Sequence, residues 1–209
     1  MAERRPLKSR ASRWAGWLTQ RCLQWGLTPN QISLLSIASA VVGAGLMWLD
    51  YGWSLVLAAI CVQLRLLCNL LDGMVAVEGG QGTPTGALYN EVPDRVADSL
   101  FLIAAGYSAG MPWLGWLAAL LAALTAYVRL LGGSLGLPQD FSGPQAKPHR
   151  MALLTVSLLL SAFQPLYWPT GPDLLWLGLI LLTAGTAWTV WRRLRRIAVA
   201  LSAGSAGSA

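Results

Sequence analysis

Charge is scarce in this chain. Only 11% of its 209 residues are charged, there is a single histidine, and the three cysteines, Cys22, Cys61 and Cys68, are odd in number and unpatterned. They sit in or beside apolar segments, so neither a disulfide framework nor a thiolate zinc site is suggested and the cysteines read as packing residues. No cleavable signal peptide is expected, because Met1 to Lys8 is basic and the sequence after it is rich in Trp and Arg. The tail 202–209 repeats Ser, Ala and Gly without apolar periodicity and reads as a linker remnant, which leaves 1–201 as one membrane domain.

What fills the chain instead is apolar sequence. Hydrophobic residues make up 55% of it, in recurring runs of about twenty residues, each long enough to cross a bilayer. The expected fold is an all-α integral membrane protein. A cytoplasmic interfacial amphipathic helix at 9–26 precedes six transmembrane helices at 30–49, 53–78, 87–110, 113–135, 151–167 and 173–197.

Charge placement supports that count. Arg4, Arg5, Lys8, Arg10, Arg13, Arg21, Lys147, Arg150, Arg192, Arg193, Arg195 and Arg196 all fall on one side, whereas the opposite loops carry only Asp50 and Asp173. The positive-inside rule makes the basic side cytoplasmic, with both termini on it and the inner membrane as the location. The excess of basic residues is then a membrane flank, and no nucleic-acid partner is expected. In the first helix Trp14, Trp17, Leu18 and Trp25 lie beside Arg10, Arg13 and Arg21. That pattern suits a helix lying against anionic lipid headgroups, and equally a positive flank with Trp anchors.

Against this background Asn69 to Asp98 stands out. Carboxylates at membrane depth are costly, so chemistry, ion binding or pairing must justify them. Asn69, Asp72, Gly73 and Ala76 share one helix face, and Asn90, Asp94 and Asp98 form a stripe at spacings of four on the next helix. The Gly- and Pro-rich link from Glu78 to Gly86 joins the two on the cytoplasmic side. If the stripes face one another, their oxygens suit Mg²⁺ or Mn²⁺ better than zinc.

The pattern resembles the signature of the CDP-alcohol phosphatidyltransferase family, DxxDGxxAR, eight residues, then GxxxDxxxD. Asp72, Gly73, Ala76, Gly86 and Asp94 match it with every interval kept, and Leu27-Thr28-Pro29-Asn30, Arg95 and Asp98 extend the likeness. Asn69 and Asn90 stand in place of the first and third Asp, and Val77 replaces the Arg. In this the chain resembles a bacterial branch with Asn at both positions and an Arg four residues before the first, the place of Arg65.

The resemblance implies transfer of a phosphatidyl group from a CDP-diacylglycerol-like donor to a small alcohol, with release of CMP. It also implies a divalent ion, Mg²⁺ or Mn²⁺, and a homodimer. Asp72 and Asp94 would be metal ligands, joined by Asn69 and Asn90 through amide oxygens and by Asp98, and Asp94 would also be the catalytic base. Asn30, Arg65, Asn69, Asp72, Gly73, Ala76 and Gly86 would bind the donor. Arg65 would reach the diphosphate or form a structural ion pair with Asp72 or Asp98.

Acceptor recognition is assigned to Arg129, Lys147 and Arg150, a basic cluster suited to an anion. Lys147 and Arg150 also read as ordinary positive flanks. His149, the lone histidine, is not needed as a base beside Asp94. Two other readings stay open: a CDP-lipid-binding relative with a degenerate metal site, and a transporter, for which no internal inverted repeat is visible.

Overall fold

A computed structural model describes residues 12–49, 51–80 and 85–206. The expected basic residues Arg4, Arg5, Lys8 and Arg10, and Asp50, lie outside the described residues. Among the described residues seven helices follow in order: α1 Arg13–Gln24, α2 Pro29–Leu49, α3 Gly52–Glu78, α4 Gly86–Ser108, α5 Pro112–Ser134, α6 Lys147–Tyr167 and α7 Leu174–Ala206. Among the described residues there is no strand.

Five of these, α2, α3, α5, α6 and α7, are long and apolar enough to cross a membrane. Helix α4 is of similar length but carries Glu91, Asp94, Arg95 and Asp98 within three turns, so its composition alone does not mark it as a span. Three boundaries differ from the expected ones, the first being that of α1, which starts at Arg13 after the extended N-cap Ser12 rather than at 9. Helix α6 starts at Lys147 rather than 151, because Pro148 lies in its first turn, where a missing N–H costs nothing. Helix α7 runs on to Ala206 instead of ending at 197, through its arginine run and into the Ser-Ala-Gly tail.

The chain forms two compact units, Met1–Phe101 and Leu102–Ala209, so α4 contributes residues 86–101 to the first and 102–108 to the second. In the first unit a capping box starts α2. The Thr28 N–H donates to Gln31 Oε1 at 2.9 Å and the Gln31 N–H to Thr28 Oγ1 at 3.3 Å, with Pro29 as the first helical residue. Helices α2 and α3 approach closely at Gly43, where an added Cβ would lie 2.5 Å from the Phe101 ring and 2.8 Å from Cys61 Cβ. The Ser39 hydroxyl donates across the same contact to the Cys61 carbonyl at 2.9 Å.

Helix α1 packs on the last turns of α3. Cys22 joins Ile32, Leu71 and Val75 in one apolar cluster, and Ala15 joins Leu70 and Met74 in another. Trp14, Trp17 and Trp25 stay exposed on its other side. These contacts fix α3 around Asp72. The helix then ends at Gly79 and turns through Gly80, whose φ of +61° only glycine adopts readily.

The second unit is built on close helix contacts. Gly106 of α4 and Gly115 of α5 meet backbone to backbone, so a Cβ on Gly106 would sit 2.6 Å from Gly115 Cα. Gly178 of α7 leaves room for the Ser157 side chain of α6 in the same way.

Candidate active site

The first unit brings the two stripes together. Helical spacing puts Arg65, Asn69 and Asp72 on one side of α3, and Asn90, Asp94 and Asp98 on one side of α4. Asn69 Nδ2 donates to Asp94 Oδ1 at 2.5 Å and lies 3.4 Å from Asn90 Oδ1. Exposure is graded along the cluster, with Asn90 exposed, Asn69 half-buried, and Asp72, Asp94 and Asp98 at 4%, 5% and 2%.

Arg65 is the electrostatic centre of the cluster. Its guanidinium is fully buried, and Nη2 reaches Asp94 Oδ1 at 3.0 Å, the Asp94 carbonyl at 3.1 Å and Asp98 Oδ1 at 2.6 Å. Of the pairings expected from sequence, the one with Asp98 is present, and Asp94 is a second partner that helical spacing did not reveal. Arg95 faces the other oxygen, Asp94 Oδ2, at 3.4 Å and also lies 3.9 Å from Glu91 Oε2. Glu91 therefore sits on the Arg95 side of α4.

Ser33 is a member of the site that sequence reasoning missed. Its hydroxyl contacts Asp72 Oδ2 at 2.7 Å, well inside the protein. Ser33 lies one turn into α2 after the Thr28-Pro29-Asn30 segment that belongs to the resemblance, but a serine in an apolar helix carries no signal of its own. Asn30, Gly73, Ala76 and Gly86 are half-buried.

The donor chemistry fits a hard divalent cation. Among the described residues no three His, Cys, Asp or Glu side chains gather around one point, and the group that converges mixes amide and carboxylate oxygens: Asn69, Asn90 and Asp94, with Asp72 one turn along α3. Such oxygens suit Mg²⁺ or Mn²⁺, and turning the Asn69 amide over presents Oδ1 in place of Nδ2. Asp98 is already engaged by Arg65.

The residues assigned to the acceptor all lie in the second unit. Half-buried Arg129 donates from Nη1 to Gln139 Oε1 at 3.2 Å and stacks over Phe141, 5.0 Å from the ring centroid. Arg150 is buried, its Nη1 donating to the Gln145 carbonyl at 2.8 Å and to Thr125 Oγ1 at 3.2 Å. Lys147 is half-buried at the start of α6, and His149 is exposed.

Two residues read as mere flanks prove to organise the loop between α5 and α6. Arg193 is buried and donates to the Ser142 carbonyl at 3.0 Å and the Thr125 carbonyl at 2.6 Å, while Arg196 pairs with Asp140 at 2.8 Å. Partial burial pushes the Asp140 carboxyl up, but hydrogen bonds from Ser142 and Arg196 outweigh it and hold the group below its ordinary value.

Comparison with known proteins agrees with this geometry. The chain is 29% identical over 174 residues to a phosphatidylinositol phosphate synthase of Mycolicibacterium smegmatis, covering 72% of this chain and 71% of that one. Its fold matches crystal structures of the Mycobacterium tuberculosis phosphatidylinositol phosphate synthase. The one with CDP-DAG bound has a TM-score of 0.75 at 24% identity, covering 89% of this chain and 94% of that one. The one in complex with manganese and citrate has a TM-score of 0.74 at 24% identity and 88% coverage of each. The family model for CDP-alcohol phosphatidyltransferases matches residues 26–191, from just before α2 into α7 and across the whole acidic motif. The chain therefore belongs to the CDP-alcohol phosphatidyltransferase family, enzymes that move a phosphatidyl group from a CDP-linked lipid to an alcohol and release CMP.

Proposed function

We propose that this protein uses CDP-diacylglycerol as donor and an alcohol phosphate of the inositol phosphate class as acceptor, at a divalent-metal site made by Asn69, Asp72, Asn90 and Asp94. The observation that carries the reading is the convergence of Asn69, Asn90 and Asp94, with Asp72 one turn away. The manganese in one crystal structure of the solved relative and the CDP-DAG in the other support the choice of cofactor and donor. The acceptor follows from the names of the curated relatives and from the cations Arg129 and Lys147.

Bound at these oxygens, Mg²⁺ or Mn²⁺ supplies the charge neutralisation that a diphosphate needs before a nucleophile can approach. The remaining work belongs to the chain. The acceptor hydroxyl oxygen forms a bond to the phosphatidyl phosphorus, the bond from that phosphorus to the CMP oxygen breaks, and the hydroxyl proton passes to Asp94. Oδ2 is the proton acceptor, because Oδ1 already receives Asn69 and Arg65 while Oδ2 has only the longer 3.4 Å contact from Arg95. Arg65, fully buried, serves the donor through Asp94, with Asp98 as its counter-charge. Asn30, Gly73, Ala76 and Gly86 line the donor's path, and Arg150 shapes the acceptor side through the Gln145 carbonyl and Thr125.

The same reading gives six crossings, with α4 as the sixth, because a span whose charges face a polar site does not need uniform hydropathy. Helix α1 then lies in the interface on its exposed tryptophans, the site and both termini are cytoplasmic, the membrane is the inner one, and the enzyme works as a homodimer. The one-sided placement of Lys147, Arg150 and the arginines of α7 supports the orientation.

The test is release of CMP from labelled CDP-diacylglycerol by the purified protein, with Mg²⁺ or Mn²⁺, against inositol phosphate, glycerol 3-phosphate, serine and neutral polyols. Turnover with inositol phosphate is expected to fall by a factor of about a hundred to ten thousand in Asp94→Asn, while the donor still binds. Donor binding without CMP release for every alcohol would favour a non-catalytic relative, the outcome to which Asn69, Asn90 and the exposed Val77 would then point.

A further inference from the structure

The far end of α7 carries chemistry that phosphatidyl transfer does not use. Helix α7 has 33 residues, and at 1.5 Å per residue about twenty of them fill an apolar bilayer core of about 30 Å. Counted from Leu174, the helix leaves the core just beyond Trp191, so Trp188, Trp191, Arg192 and Arg195 stand at the level of the headgroups. Spacings of three and four put all four on one face.

That face is open and built. Trp188 and Trp191 are 55% and 47% exposed, with ring centroids 4.6 Å apart and planes 30° from parallel. The Arg195 guanidinium lies over the Trp191 ring, 5.5 Å from its centroid. Together with Arg192 and Arg196 these groups border an open cleft of about 520 Å³ along this one helix, which continues past Val199 to Ala203. Of the other arginines of the run, Arg193 turns away to the carbonyls of Ser142 and Thr125, whereas Arg196 also borders the cleft but is already paired with Asp140. Among the described residues neither Arg192 nor Arg195 has a carboxylate partner.

We infer that this cleft binds an anionic glycerophospholipid of the surrounding membrane, its headgroup phosphate on Arg192 and Arg195 and the upper part of an acyl chain against Trp188 and Trp191. Charge complementarity selects the phosphate. The depth of the site and its indole wall select an amphiphile over a soluble anion, which would leave the apolar half of the cleft in contact with lipid or water. The inference rests on α7 crossing the membrane and is independent of the catalytic assignment.

The full chain is purified and mixed with equal amounts of phosphatidylglycerol and phosphatidylcholine of identical acyl composition, and retained lipid is counted by native mass spectrometry. The wild type is expected to prefer phosphatidylglycerol, and the preference should drop by about five-fold for each arginine neutralised in R192Q and R192Q/R195Q. Asp72→Asn should keep the preference, which separates this cleft from the donor site. Millimolar inorganic phosphate should leave the bound lipid in place. Equal uptake of both lipids, an unchanged preference in R192Q or in the double variant, loss of preference in Asp72→Asn, or displacement by phosphate alone would each overturn the proposal.

Discussion

Replacing Arg65 by methionine should be among the most destabilising single changes in the first unit. The perturbation removes a cation but keeps most of the side-chain volume, so no cavity term confuses the reading. Arg65 is 0% exposed, and the side chains of its partners Asp94 and Asp98 are 8% and 3% exposed. At 3.0 Å and an effective dielectric of about 20, one such pair attracts with ~5 kcal/mol, most of it offset by desolvating the charges. In R65M the desolvation of two carboxylates remains while their shared cation is gone, and such uncompensated burial costs about 3–5 kcal/mol. Asp98→Asn leaves Arg65 on Asp94 and should cost less, about 1–3 kcal/mol. The double variant R65M/D98N should be more stable than the sum of the two losses predicts, with a coupling of about 0.5–3 kcal/mol. Unfolding in mixed detergent, followed through the eleven tryptophans, measures all three. A loss below about 1 kcal/mol in R65M, or strict additivity in the double variant, would refute the view that Arg65 neutralises this pair.

Ser33→Ala removes the hydrogen bond to Asp72 Oδ2, so the Mn²⁺ concentration for half-maximal CMP release should rise about 10–100-fold; an unchanged value would remove Ser33 from the site. Gly106→Ala drives a methyl to 2.6 Å from Gly115 Cα and should cost about 1–3 kcal/mol in the same unfolding assay. Gly16→Ala, which meets nothing within 4 Å, should be neutral or slightly stabilising by comparison. Asp140 has a depressed folded-state pKa, so its link to Arg196 stabilises the protein above the ordinary carboxylate pKa and is lost as pH falls through the lower folded value. The stability gap between wild type and Asp140→Asn should therefore be present at neutral pH and vanish in acid. Both partners are partly exposed, at 47% and 26%, so the gap should stay under about 1 kcal/mol.

Much of this architecture is legible in the chain because membrane helices announce themselves by length and apolar content. Every expected helix has its counterpart, though only five of the six expected crossings are long and apolar enough to span, and most ends agree within a residue or two, as Gly79 and Pro112 show: glycine stops α3 and proline opens α5. The exceptions have local causes. The start of α6 is set by Pro148, and the long run of α7 is kept by Arg193 and Arg196 reaching back to the loop before α6, a tertiary contact that periodicity does not carry. The site divides in the same way. Spacing puts Asn69 on one stripe and Asn90 and Asp94 on another, whereas the meeting of the two stripes and the choice of Asp94 as Arg65's second partner depend on how α3 and α4 face one another. Ser33 is invisible for a plainer reason, since one serine among the small residues of a membrane helix looks like any other.

The asparagines acquire a physical sense from that geometry. A carboxylate at position 69 would stand where the amide now donates to Asp94 at 2.5 Å, and two like charges so close are tolerable only with a cation between them. With asparagine there, the amide and Arg65 together hold Asp94 Oδ1 from two directions. In the proposed role of base, Asp94 is positioned, and its charge compensated, before any ion arrives. The corresponding loss is in metal affinity, because each carboxylate replaced by an amide removes one negative charge from the ligand set. Arg65 deepens that loss by drawing Asp98 to itself. The departures from the family pattern thus belong together: a cluster with fewer negative charges needs an internal cation and a hydrogen-bond donor to keep its shape, and Arg65 and Asn69 supply them.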